Sequence, residues 1–141
     1  MSLEWNCESV FIDLFNSRSA LSAVQKCRHG ADDEIKLPAI VVKASIINQV
    51  VPHPYRESMR MTEVELTIEL TALIGQTPDV SIEGYWQEVQ SAIDGIRFVS
   101  ISSLSNFRHF TILDERRTER SVSDDRSVQS VTLNLLVQST G

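Results

Sequence analysis

Val64-Glu65-Leu66-Thr67-Ile68-Glu69-Leu70, within the longer stretch Met61 to Ile74, decides the fold. Val64, Leu66, Ile68, Leu70 and Ala72 alternate with Glu63, Glu65, Thr67, Glu69 and Thr71. A strict period of two predicts a strand with one face in a core and one polar face. The three glutamates on that polar face could in principle hold a metal or form paired carboxylates for acid–base work. A metal site needs converging ligands of suitable type, and no neighbouring histidine or aspartate in the sequence supplies them. A solvated or interface-facing strand is the better reading.

Helices flank this strand. After it, Thr77-Pro78-Asp79 reads as a helix start, with Thr77 as cap and Pro78 at the first position, where its missing N–H costs nothing. Ile82, Tyr85, Trp86, Val89 and Ile93 form an apolar stripe, and Gly95 ends it. Gly84 is a local weakness of about 1 kcal/mol against alanine. Before the strand, Leu3 to Cys27 has a helical rhythm in Trp5, Val10, Leu14, Leu21 and Val24. Asn16-Ser17 is a point of interruption, because both side chains compete for backbone hydrogen bonds. Gly30 is a natural stop. Ile35 to Ile47 then predicts an extended segment that Pro38 confines to a sheet edge or a strand start. Asn48 to Ser58 reads as a long connection.

The C-terminal third predicts further strands. Ile96 to Leu104 alternates loosely, and Phe107 to Leu113 is aromatic and β-branched. Val131, Leu133, Leu135 and Val137 alternate with polar residues. Between these strands lies Asp114 to Ser130. Helix is disfavoured there, since Glu115–Glu119 and Arg116–Arg120 would be like-charge pairs one turn apart, each costing about 0.2–0.5 kcal/mol. An extended hairpin arm turning near Ser123-Asp124-Asp125-Arg126 is expected, with too little apolar surface to stand without a partner. The sum is one α+β domain over residues 1–141: a mostly antiparallel sheet, two amphipathic helices and a charged arm at 114–130.

Composition narrows the function. The chain has 141 residues, 42% hydrophobic and 23% charged, with a net charge of −6 and a pI near 5.0. That balance argues against wrapping nucleic acid, which requires neutralising phosphates. The arm is no exception: Arg116, Arg117, Arg120 and Arg126 face five acids between Asp114 and Arg126. Mixed charge suits a protein interface that needs a fixed register. No apolar run is long enough to span a bilayer. The N-terminus lacks a secretory pattern, so synthesis inside the cell is expected. Cys7 and Cys27, read as lying on one helical segment, are too far apart for a disulfide and are expected to be buried thiols. The sequence has no glycine-rich phosphate loop, metal-type cysteine cluster or nucleophile elbow. His29, His53 and His109 are isolated. No catalytic residue, cofactor or metal is expected, and assembly with other chains is the expected mode of action.

The order of elements carries a resemblance. A long N-terminal helix precedes Leu37-Pro38-Ala39-Ile40-Val41-Val42, then come the alternating strand, the helix around Tyr85-Trp86 and the closing Val131-Thr132-Leu133-Asn134-Leu135. This order resembles the tail-terminator, or tail-completion, proteins of long-tailed bacteriophages and prophages. The likeness covers nearly the whole chain but lies in pattern, so no functional residue transfers by position. It implies a virion protein made in the bacterial cytoplasm, forming a hexameric ring that caps the tail tube and meets the neck. An acidic chain suits a ring through which DNA passes without specific binding. For the subunit or tail interface, the acidic strand face (Glu63, Glu65, Glu69) and the arginines of the arm (Arg116, Arg117, Arg120) are complementary candidates. Val50, Val51 and Tyr55 would supply apolar burial. Three other roles are open: another neck or tail component (adaptor or stopper), a small non-viral protein-binding domain, or an enzyme gathering His53 or His109 with the strand glutamates.

Overall fold

The computed structural model describes residues 2–30, 35–50, 59–96 and 107–140. The chain forms helix α1 (Leu3–Asn16), a 3-10 turn (Ser19–Leu21), and strands β1 (Gln25–Arg28), β2 (Ala39–Val50) and β3 (Met59–Leu73). Helix α2 (Asp79–Asp94) and strands β4 (Phe107–Arg117), β5 (Ser121–Ser123) and β6 (Arg126–Thr140) complete it. The strands make one sheet in the order β1-β2-β3-β6-β4, with β5 also paired to β6. Every pairing is antiparallel except β1 with β2. This is the expected α+β architecture.

The core lies between the helices and one face of the sheet. Val64, Leu66, Ile68 and Leu70 of β3 sit in rows with Leu135, Leu133, Val131 and Gln129 of β6. The first three pairs are fully buried, and so is Leu70 of the fourth. Ile40, Val42 and Ala44 extend the apolar layer into β2. Phe11 and Phe15 of α1 and Trp86, Val89 and Ile93 of α2 close it from above. Phe11 packs its ring 5.7 Å from Phe110 of β4, tying α1 across the sheet.

The N-terminal segment departs from the expected helix. Ser2 caps α1 by accepting the Trp5 N–H at 3.1 Å, and the helix stops at the Asn16-Ser17 break. Its buried residues are Asn6, Cys7, Phe11 and Phe15, whereas Val10 and Leu14 pack only partly and Trp5 is exposed. The helical rhythm past Ser17 is misleading. Residues 25–28 pair in parallel with 39–42, anchored by the Gln25 N–H to Pro38 O (3.1 Å) and the His29 N–H to Val42 O (3.0 Å). Cys27 therefore lies in a strand. Ladder bonds and burial of Val24 and Cys27 outweigh the weak helical preference of so short a piece. Gly30, at φ +77, turns the chain out of β1.

Three boundaries also move. β2 begins after Pro38 and runs through Asn48 to Val50, so the start of the expected connection belongs to a strand. Thr77 is buried and does not cap α2. Pro78 holds the cap position, and its carbonyl accepts the Ser81 and Ile82 N–H groups. Residues 114–130 contain the expected hairpin, but it lies within the sheet: 114–117 continue β4, 121–123 form β5, and 126–130 pair with β3, 126–128 of them with β5 as well. Asp124 and Asp125, at φ 50 and 63, make the tight β5–β6 turn where the sequence suggested it. Two consecutive positive φ values match the twist of a two-residue hairpin, and aspartate tolerates them. Of the strand expected over Ile96 to Leu104, 97–104 fall outside the described residues.

Candidate assembly surfaces

Alternation on β3 places Glu63, Glu65 and Glu69 on the sheet face opposite the helices. They share that face with Thr67, Thr132, Asn134 and Lys43. Arg116 of β4 lies in the row of Thr132 and therefore on the same face. Its Nη2 is 3.9 Å from Glu65 Oε2. The Thr71 hydroxyl donates to Glu69 Oε1 at 3.4 Å. The open face is thus a mainly polar, partly exposed surface of mixed charge, with Val41 and Leu136 among its residues. Among the described residues, no group of three metal-capable side chains gathers there or elsewhere.

Arg117 and Arg120 point elsewhere. Arg117 lies in the row of Val131, on the helix side. It donates to Glu115 Oε1 from Nε (3.0 Å) and Nη2 (2.8 Å), and stands 4.0 Å from Asp94 at the end of α2. Arg120 donates from Nη2 to Asp79 Oδ1 (2.8 Å) at the start of α2, and from Nε to Ser127 Oγ (2.7 Å). The two arginines therefore reach opposite ends of α2. The sequence treats the three arginines as one group; the pleat divides them, one with the glutamates and two beside the helix.

Val50 ends β2, but its side chain lies outside the described residues, as do Val51, Tyr55 and His53 altogether. The side chain of His109 is likewise outside them, while His29 is exposed in the turn after β1. Cys7 and Cys27 are buried and form no disulfide, on α1 and β1. Burial, with Glu8 and Glu4 nearby, pushes the Cys7 thiol up to about 12. It is protonated at neutral pH and is not a nucleophile.

Two features escape the sequence reading. Arg28 lays its guanidinium 3.5 Å from the Trp5 ring centroid, donates to Ser9 Oγ and stands 3.6 Å from Glu8 Oε1. The other Glu8 oxygen accepts the Ala44 N–H at 2.9 Å, a backbone donor on the outer side of β2. The second feature is exposed apolar surface at the sheet's edges: Ile46 (39%), Ile47 (49%) and Leu113 (54%). Ile47 and Leu113 both occupy register shifts, between Ile46 and Asn48 and between Ile112 and Asp114. Adjacent large apolar residues in otherwise alternating strands, Ile46-Ile47 and Ile112-Leu113, were the legible signal.

No family model and no curated protein matches the chain. Its fold is similar to solved structures. One is a chain from the virion of a native gene transfer agent particle, 13% identical, covering 95% of this chain and 94% of that one with a TM-score of 0.51. A second solved chain is 9% identical and matches over 92% of this chain and 89% of its own length, with a TM-score of 0.52. At these identities the likeness establishes the fold. No helix among the described residues is long and apolar enough to cross a membrane.

Proposed function

We propose that this chain is a structural protein of a phage-type particle and acts as its tail terminator, a hexameric ring that caps the tail tube and joins it to the neck. The carrying observation is the fold it has in common, nearly end to end, with a chain of a gene transfer agent virion. The order of elements read from the sequence points the same way. Its partners are further copies of itself and the tail-tube and neck proteins, and DNA passes without specific binding. The work is assembly, not catalysis, and the protein resides in the virion after synthesis in the bacterial cytoplasm.

A head-to-tail ring needs two different complementary surfaces per subunit. The open face with Glu63, Glu65, Glu69 and Arg116 and the flank of α2 with Arg117 and Arg120 lie on opposite sides of the sheet, and both are candidates for the subunit or tail interface. Exposed ion pairs are each worth about 0–1 kcal/mol, so they set register and apolar contact must supply most of the affinity. Deleting the gene from a particle-producing host tests the role. The expected products are filled heads and unjoined tails of abnormal length, with joining restored by the gene in trans. Normal particles would overturn the proposal. Unjoined tails of normal length would make the chain a neck component instead.

A further inference from the structure

Resting on that ring reading, we propose that neighbouring copies join sheet edge to sheet edge, the outer edge of β2 in one copy pairing with the outer edge of β4 in the next. β1 covers only Ala39–Val42 of β2. Val42 O and Ala44 N–H point outward, to His29 and Glu8, so by the period of two the backbone groups of Ile46 point outward as well. Beyond Ala44, no described strand pairs with that side of β2. β4 is the last strand at the other end of the sheet order, and no described strand pairs with the far side of Thr111–Asp114. Unpaired edges of this kind are templates for strand addition.

The two edges match in height, direction and chemistry. Ile46 sits in the row of Val64, and Ile112 reaches the same row through Leu135. Asn48 and Thr111 both lie in the row of Glu63, the latter through Leu136. The bulged Ile47 and Leu113 therefore stand within about one residue of each other in height. Three successive antiparallel pairings, β2–β3, β3–β6 and β6–β4, leave β4 antiparallel to β2. A copy set alongside by rotation about an axis running along the strands would thus present β2 antiparallel to β4. Lys43, in the row of Thr67, and Asp114, in the row of Glu65, are exposed on the open face. They would become diagonal cross-strand neighbours of opposite charge, within reach of a long side chain. Arg116 would lie across from Lys43 but inclines toward its own chain's Glu65. Bulges, charged side chains and proline each guard edges, yet the exposed positions at these two bulges are neither charged nor proline. These carry isoleucine and leucine.

Cysteine pairs test the joint. Ile47→Cys with Leu113→Cys, oxidised mildly in the concentrated chain and in assembled particles, is expected to give a ladder of covalent multimers. Each single variant is expected to stay monomeric on a denaturing gel. Asn48→Cys with Thr111→Cys is the second pair, should the first perturb folding. Ile47→Asp is expected to abolish multimers seen by native mass spectrometry while leaving the melt unchanged. Dimers from a single variant would mean a two-fold contact and would overturn the proposal. Assembled chains that neither pair cross-links would remove the edge joint and leave the ring standing. Chains that assemble neither alone nor on tails would remove both.

Discussion

The two faces of the central sheet are built from alternate residues of the same strands, yet they do different work. Under the helices, β3 contributes Val64, Leu66, Ile68 and Leu70, all buried in one continuous core. One residue along, Glu63, Glu65, Thr67 and Glu69 meet mostly polar neighbours, with Leu136 beside Glu63 and Val41 beside Glu69, and partial solvent. The contrast assigns stability to one face and leaves the other, together with the sheet edges, free for recognition. Changes to the covered face should unfold the monomer, whereas changes to the open face or edges should disturb assembly and spare the fold.

The largest expected effects lie in the core. Phe11→Ala should cost about 3–5 kcal/mol, and Ile68→Ala or Leu70→Ala about 2–5 kcal/mol, read from denaturant midpoints. Alkaline pH gives the next effect. The Cys7 thiol is raised from 9.0 to about 12 in the folded chain. Below pH 9.0 both states keep the proton and stability is full. Between 9.0 and about 12 only the unfolded state releases it, so stability falls as pH rises. Melts across that window should show the decline, and Cys7→Ala should flatten it. Arg120→Ala removes a contact with exposed Asp79 and a hydrogen bond to Ser127, and should cost about 0–1 kcal/mol. Glu65→Ala and Glu69→Ala should cost under about 0.5 kcal/mol in the monomer. Glutamate variants more damaging than Ile68→Ala would reverse the two faces.

The same contrast explains what could be read from the sequence. β3, β6 and α2 were legible because each carries a long run of its own period, and packing reinforced the local pattern. Residues 25–28 were not, because a four-residue strand spans barely one helical turn, too short to show either period, and is held by bonds to Pro38 and Val42, far along the chain. Thr77 has the chemistry of a cap but turns inward as the chain leaves β3, a choice made by burial. Among the candidate interface residues, the glutamates lie on one face as their spacing required. Arg116 and Arg117 are parted by the strand's period of two, which a strand reading of 114–117 would have shown, whereas the break between β4 and β5 at Thr118–Arg120 resets the side that Arg120 faces. The exposed edges depend on which strands end up outermost, and strand order is set by tertiary pairing.

Copy number per particle tests the central claim most directly. Quantitative mass spectrometry of purified particles, calibrated against the tail-tube protein, should find one ring's worth of this chain per tail, six copies in a hexamer, unchanged when tails are longer or shorter. Absence from the particle, or an amount that grows with tail length, would contradict it.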